Sequence, residues 1–575
     1  MTEVRAYVPP VLETGRSWGF SVNLYALRSQ RNWGIGDFTD LENFVRYAAT
    51  LGAGLVGVNP LHALHYTNPE AASPYSPTSR YFLNPIYIDI EAVAEFAGQN
   101  ARAAALRARV GMEPFASTLA ALRAEPSILY ARVARTKWSA LEELYGILVQ
   151  ERGARFAAFR AYARGCGERL ERFAVHEALV EHFERNGGNR AWTTWPEEFR
   201  DAASETVRTW AAARRRRIDY FKFVQWIASE QLARVCTQAQ ALEIGLYLDV
   251  AVGVDLNSAD VWNDPSAYLL DRWVGAPPDP LGPLGQNWGL AAPDPQALLR
   301  EGGAAFSELL AATMAHAGAL RLDHAMSLLR LFLIPHGETP AGGTYVAYPV
   351  DELLAIAAAQ SIRARCLIVG EDLGTVPAGF RERMEHAAIF SYRVFLFERE
   401  DDGSFKMPDR YPALGLATAT THDLPSIAAW ALGRDLDTWD RLGVMAESWA
   451  QVARAARRSD VTQMFEALRI AGELDDEGFA AAHLAVDERS NDPRRYEPVV
   501  RAVYRYLANS RARLVLVALD DALVEFDPVN LPGTGFEYPN WRRKNSVGIE
   551  DIIRDRSIAK LAAEVRARVK GDISS

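Results

Sequence analysis

Short apolar runs alternate with helical stretches along most of this chain, and five of the runs stop at an acid. Phe20–Leu24, Leu55–Val58, Leu246–Leu248, Leu320–Leu322, Cys366–Val369, Tyr392–Phe397, Leu416–Thr421 and Leu514–Leu519 read as strands. Strands separated by helices predict an α/β fold with a parallel sheet, and eight strands predict a closed (β/α)8 barrel. The acids at the ends of the runs are Asp249, Asp323, Glu371, Asp423 and Asp520. In a barrel the C-terminal strand ends form one face, so acids far apart in sequence are expected to converge there.

The barrel is expected over residues 15–575 with large, mainly helical insertions. Residues 91–235, rich in Ala, Arg, Glu and Leu, read as a helical insertion between strands two and three. Residues 253–300 read as an active-site loop, and 425–510 as a second helical insertion between strands seven and eight.

Composition narrows the function. A net charge of −10 argues against nucleic acid as the main partner. The basic run Arg214–Arg217 is therefore read as a solvated helix face. Cys166, Cys236 and Cys366 are widely spaced and form no CxxC pair, which suits free thiols in a cytoplasmic enzyme. No signal-peptide core or run of about 20 apolar residues is present, so no membrane association is expected. His62 and His65 lack acidic companions and read as structural, not as metal ligands. The 14 Trp, 21 Tyr and 24 Phe residues offer flat faces that can stack on sugar rings, although packing must account for most of them.

Clustered acids can hold a metal, but such sites recruit further His or oxygen ligands. Here Arg321 and His422 stand beside the acids, and both can orient carboxylates or sugar hydroxyls. Two carboxyl groups flanking a glycosidic bond, one protonated and one ionised, suit glycosyl chemistry.

Arg321-Leu322-Asp323-His324-Ala325-Met326, Gly370-Glu371-Asp372-Leu373-Gly374 and Thr421-His422-Asp423-Leu424-Pro425 resemble three motifs of one family, the 4-α-glucanotransferases, also called amylomaltases or disproportionating enzymes. Arg31–Asp37, Ser73–Pro77, Asn530–Thr534 and Pro539–Arg543 match as well, in family order. The stretch Ile334–Asp351 is similar to the bacterial maltose-system branch. The resemblance implies transfer of α-1,4-glucan segments from a malto-oligosaccharide donor to the 4-OH of a glucose or α-glucan acceptor, without a cofactor or metal.

It also implies roles. Asp323 would be the nucleophile, Glu371 the acid/base, and Asp423 the acid that holds the distorted donor sugar. A retaining pair sits roughly 5–5.5 Å apart, and that spacing is expected for Asp323 and Glu371. Ser73 and Tyr75 lie on a loop resembling the family's donor-site loop. Trp288, in a Pro/Gly-rich stretch from Gly275 to Pro295, would stack on an acceptor sugar from a lid; a plain surface loop is the alternative. Asp249 and Arg321 are expected to line one subsite, against a structural ion pair below it. His422 and His324 are read as sugar ligands, against capping or packing roles. Asp372 and Asn530 complete the substrate-binding set.

Two departures are expected. The extra N-terminal region of longer maltose-system relatives has no counterpart here, and Leu519–Leu523 differs from the family's more usual Gln/Glu-Asp-Leu pattern. Three other functions compete: an α-glucan hydrolase of the α-amylase class, a noncatalytic glucan-binding protein, and a metal-dependent barrel enzyme.

Overall fold

The computed structural model describes residues 4–278, 284–444 and 447–571. Residues 279–283 of the expected active-site loop, 445–446 of the second insertion and the two chain ends lie outside the described residues. Eight parallel strands close into a barrel: β1 (Ser17–Val22), β2 (Leu55–Val58), β3 (Gly245–Val250), β4 (Ala319–Leu322), β5 (Leu367–Gly370), β6 (Phe390–Val394), β7 (Gly415–Thr418) and β8 (Leu514–Ala518). Each pairs with its neighbours in sequence, and β8 closes on β1. These are the eight runs expected from sequence. Strands β2 to β7 are buried along their whole length, which is why they read as continuous apolar runs and not as alternating ones.

The boundaries differ by a few residues. The sixth run stops being a strand at Val394, and Phe395–Phe397 forms a 3-10 turn. The seventh ends at Thr418. The last paired residues are Val394 and Thr418, so both strands end where the ladder between them ends.

Between β2 and β3 lie the helices Ala101–Val110, Phe115–Ala124, Tyr130–Glu151, Ala154–Gly165, Gly167–Arg185, Glu205–Ala213 and Arg215–Ala239. The last of these packs on Phe38–Thr50 and leads into β3, so it serves as a barrel helix. Its basic start is not free. Arg215 pairs with Glu171, Arg217 pairs with Glu181 and Glu142, and Arg214 lies over Trp210. Between β7 and β8 stand Arg434–Arg441, Glu447–Ile470, Asp476–Asp487 and Glu497–Ala508.

The stretch expected to be a loop holds two long strands, Tyr268–Ala276 and Gln286–Pro293. They form an antiparallel four-stranded sheet with Arg330–Pro335 and Thr344–Ala347. Their ladder is broken by register shifts and their partner strand lies more than 50 residues away, so no local pattern announced them. No described helix is long and apolar enough to cross a membrane.

Candidate active site

Backbone hydrogen bonds beyond the strand ends bring the acids together. The Asp323 N–H donates to the Val250 carbonyl at 3.2 Å, the Glu371 N–H to Leu322 at 3.0 Å, and the Ala325 N–H to Glu371 at 2.8 Å. The ladders β3–β4 and β4–β5 therefore continue past their strands and hold Asp323 and Glu371 side by side on the rim. Gly370 leaves room for Ala325 and Met384 beside the rim. A Cβ there would stand 2.7 Å from Met384 Sδ and 3.1 Å from Ala325 Cβ.

Arg321 is the charge at the centre of the group. Asp249 and Arg321 are register partners across β3 and β4, and one guanidinium nitrogen donates to both Asp249 oxygens at 2.9 and 2.8 Å. The same nitrogen lies 2.8 Å from Asp323 Oδ1, and its neighbour lies 3.9 Å from Glu371 Oε2. Burial pushes the Glu371 carboxyl up to about 7. Arg321 opposes that shift, Asp323 adds to it, and the N–H groups of Leu373 and His324, bonded at 2.7 and 2.9 Å, oppose it. Burial also raises the Asp249 carboxyl, against the pull of Arg321.

The opposite wall comes from β7. His422 Nε2 lies 3.2 Å from Asp423 Oδ2, and the Asn530 amide donates to Asp423 Oδ1 at 2.6 Å. The Tyr75 hydroxyl donates to Asp249 at 2.7 Å and meets His422 Nδ1 at 3.1 Å. An imidazolium at His422 satisfies this chain, donating to Tyr75 on one side and Asp423 on the other. Burial lowers the basicity of His422, but Asp423 outweighs it and the ring is held above its ordinary range. Burial likewise raises Asp423, and His422 and Asn530 together bring it below the usual carboxylate range. Access separates the three acids: side-chain exposure is 9% for Glu371, 16% for Asp323 and 51% for Asp423. Glu371 and Asp323 are thus sheltered, while Asp423 is open to solvent.

The remaining expected residues divide. Tyr75 stacks on His422 with ring centroids 4.5 Å apart, and Ser73 shapes that loop by accepting from the Tyr75 N–H at 3.3 Å. Trp288 reaches the site from the antiparallel sheet and meets His324 edge-on at 5.3 Å. His324 has a left-handed backbone, with φ 46°. Burial lowers its imidazole to about 4, so the ring is neutral near pH 7.

Asp372 requires correction. Its side chain is fully buried, and its oxygens accept from Arg381 at 2.6 Å and the Tyr392 N–H at 2.8 Å, with Arg393 3.6 Å away. It faces away from the cleft and pins β5 to β6. The pattern of inward and outward residues at a strand end depends on where the strand stops, which the motif did not reveal. Asp520 lines the cleft but is tied to Arg543 at 2.6 Å.

Two side chains were missed. Tyr392, on β6, lines the cleft and has the Arg321 guanidinium 5.7 Å from its ring. Trp541 packs against both Tyr75 and His422. The motif Pro539–Arg543 matches the family, but nothing local ties that segment to the barrel mouth. Tyr75, Asp249, Arg321, Tyr392 and His422 line one cleft.

The family model described as 4-alpha-glucanotransferase matches residues 22–548. A 4-alpha-glucanotransferase of Haemophilus influenzae is 36% identical over 571 residues, covering 97% of this chain and 80% of that protein. One from Mycobacterium tuberculosis is 33% identical, covering 99% and 77%. Among solved structures, amylomaltase from Corynebacterium glutamicum superposes with a TM-score of 0.83 at 28% identity, covering 96% of this chain and 75% of that one. Amylomaltase from Streptococcus agalactiae, solved with acarbose, has a TM-score of 0.75 at 18% identity and shares the fold, covering 96% and 99%.

Proposed function

This chain belongs to the 4-alpha-glucanotransferase family, and on that premise we propose that Asp323, Glu371 and Asp423 carry a retaining transfer of α-1,4-glucan segments. The donor is a malto-oligosaccharide, and the acceptor is the 4-OH of glucose or of another glucan. The Asp323 carboxylate attacks C1 of the donor sugar while the bond from C1 to the departing oxygen breaks. Glu371 gives its proton to that oxygen. The result is a glucosyl ester on Asp323 and an ionised Glu371. In the second half Glu371 takes the proton of the acceptor 4-OH, whose oxygen attacks C1 and releases Asp323. Two inversions retain the α configuration.

The observation that carries this reading is the pairing of Arg321 with Asp323 at 2.8 Å beside a Glu371 carboxyl pushed up to about 7. Glu371 can then hold its proton at neutral pH beside a nucleophile that is paired with Arg321. Asp423, held by His422 and Asn530, is placed to bind sugar hydroxyls and to favour the oxocarbenium-like transition state. Tyr75 and His422 form the donor-side wall, and Trp288 is the candidate stacking surface for the acceptor. Acceptor binding raises the effective concentration of the attacking hydroxyl and disfavours water. Free cysteines, with Cys366 buried, support a cytoplasmic setting.

The test is a time course with maltotriose, resolving products by length. Glucose together with maltopentaose and longer chains, at constant total reducing ends, is expected. Shorter products alone with rising reducing ends would make the protein a hydrolase. Asp323→Ala and Glu371→Ala are expected to fold and to lose transfer by about 10³-fold or more; wild-type turnover in either would overturn the assignment.

A further inference from the structure

Trp541 is a bulky residue with φ 63°, in a backbone region that residues with a Cβ avoid. Such a conformation persists only where the surroundings hold it. Here they do so from both sides. The Trp541 N–H donates to the Val529 carbonyl at 2.8 Å, and its own carbonyl accepts from the Tyr130 hydroxyl at 2.8 Å in a buried bond.

Tyr130 starts the long helix Tyr130–Glu151 of the insertion between β2 and β3. The contact is part of a seam. The Ile128 N–H donates to Arg542, the Lys544 N–H donates to Pro126, and Ser127 bridges Arg543. The Arg542 side chain lies over the Tyr130 ring and reaches Glu70 on the loop that carries Tyr75.

The indole is buried behind the donor-side wall. Its ring centroid lies 5.6 Å from Tyr75, 5.5 Å from His422 and 6.5 Å from Tyr25. Tyr75 and His422 connect Asp249 to Asp423 through polar contacts, so the position of either ring bears on the carboxylate of Asp423, which Asn530 also holds.

We infer that Trp541 is a positioning residue for the Tyr75–His422 pair, and that the helical insertion holds it in place through Tyr130. The insertion thereby sets the geometry of the third acid without touching the sugar. The inference rests on the roles proposed above for Tyr75, His422 and Asp423. Because Asp423 acts mainly on the distorted sugar, the effect belongs in kcat.

The experiment measures steady-state maltotriose disproportionation and thermal unfolding for Trp541→Phe, Tyr130→Phe and the double variant. Trp541→Phe is expected to lower kcat about tenfold or more with KM within about threefold of wild type. Tyr130→Phe, which removes one hydroxyl, is expected to lower kcat about three- to tenfold. The double variant is expected to fall no more than about twofold below Trp541→Phe, because both changes act through one contact. A folded Tyr130→Phe enzyme with wild-type kcat, a loss confined to KM, or fully additive losses would overturn the inference. If Trp541→Phe does not fold, Tyr130→Phe decides alone. Absence of transfer in the wild-type protein would instead count against the proposed function.

Discussion

Glu371 and Asp423 are carboxyl groups of one site, moved in opposite directions by their own neighbours. Burial dominates for Glu371, while His422 and Asn530 prevail at Asp423. With Glu371 as the acid, kcat/KM must fall as its proton leaves, so a decline above about pH 7 is expected in the pH–rate profile. A flat profile from about pH 6 to 9 would contradict that role. The same shift bears on stability. Between about 4.5 and about 7 the folded protein holds a proton that the unfolded chain has released. Stability contributed by this group is therefore lost as pH rises through that window. Glu371→Gln should make this part of a plot of unfolding free energy against pH less steep, while Asp37 and Asp521, also raised by burial, keep a slope there. At this scale the motifs that carry the three acids and Arg321 were legible, because each stands at or shortly beyond the end of an apolar run. Tyr392 was not, because an aromatic residue in a strand looks the same whether it faces the core or the cleft.

At the scale of elements, β3 and β4 approach closely at the base of the barrel, and a glycine makes room for it. Gly318 precedes β4, its N–H donates to Leu246, and its carbonyl accepts from Leu367. A Cβ at Gly318 would stand 1.6 Å from the Ile244 carbonyl oxygen, a backbone atom that cannot swing away. Gly318→Ala is expected to cost about 3 kcal/mol in urea unfolding, at the upper end of overpacking effects. A variant as stable as wild type would show that β3 and β4 can separate there. The strands were legible as apolar runs because both faces are buried. The antiparallel sheet was not, because bulges break its alternation and its partner strands are remote in sequence.

For the molecule as a whole, one core joins barrel and insertion. Val56, Leu246 and Leu320 of the barrel belong to the same buried cluster as Leu144, Ile147 and Val224 of the helices between β2 and β3. The seam between Pro126–Tyr130 and Trp541–Lys544 adds hydrogen bonds across the chain's two halves. We therefore propose residues 15–575 as one catalytic unit. Far-UV circular dichroism, tryptophan fluorescence and transfer activity are expected to be lost together in one denaturant transition. Helical signal surviving the loss of activity would show the insertion to be an independent domain.

The order of apolar runs follows from local chemistry: strands buried on both faces are mainly apolar, and the acids stand at or just beyond their C-terminal ends, Asp249 within the last two residues of β3. That much, with the family motifs that carry the proposed reacting acids, was legible in sequence alone. Which neighbours each acid meets was decided only by closure of the barrel. Closure puts Arg321 opposite Asp249, sends Asp372 into the wall instead of the cleft, and brings Trp541 from near the end of the chain onto Tyr75 and His422. The direction and reach of each side chain depend on register and on backbone torsion, and neither is carried by the residue's immediate neighbours in sequence.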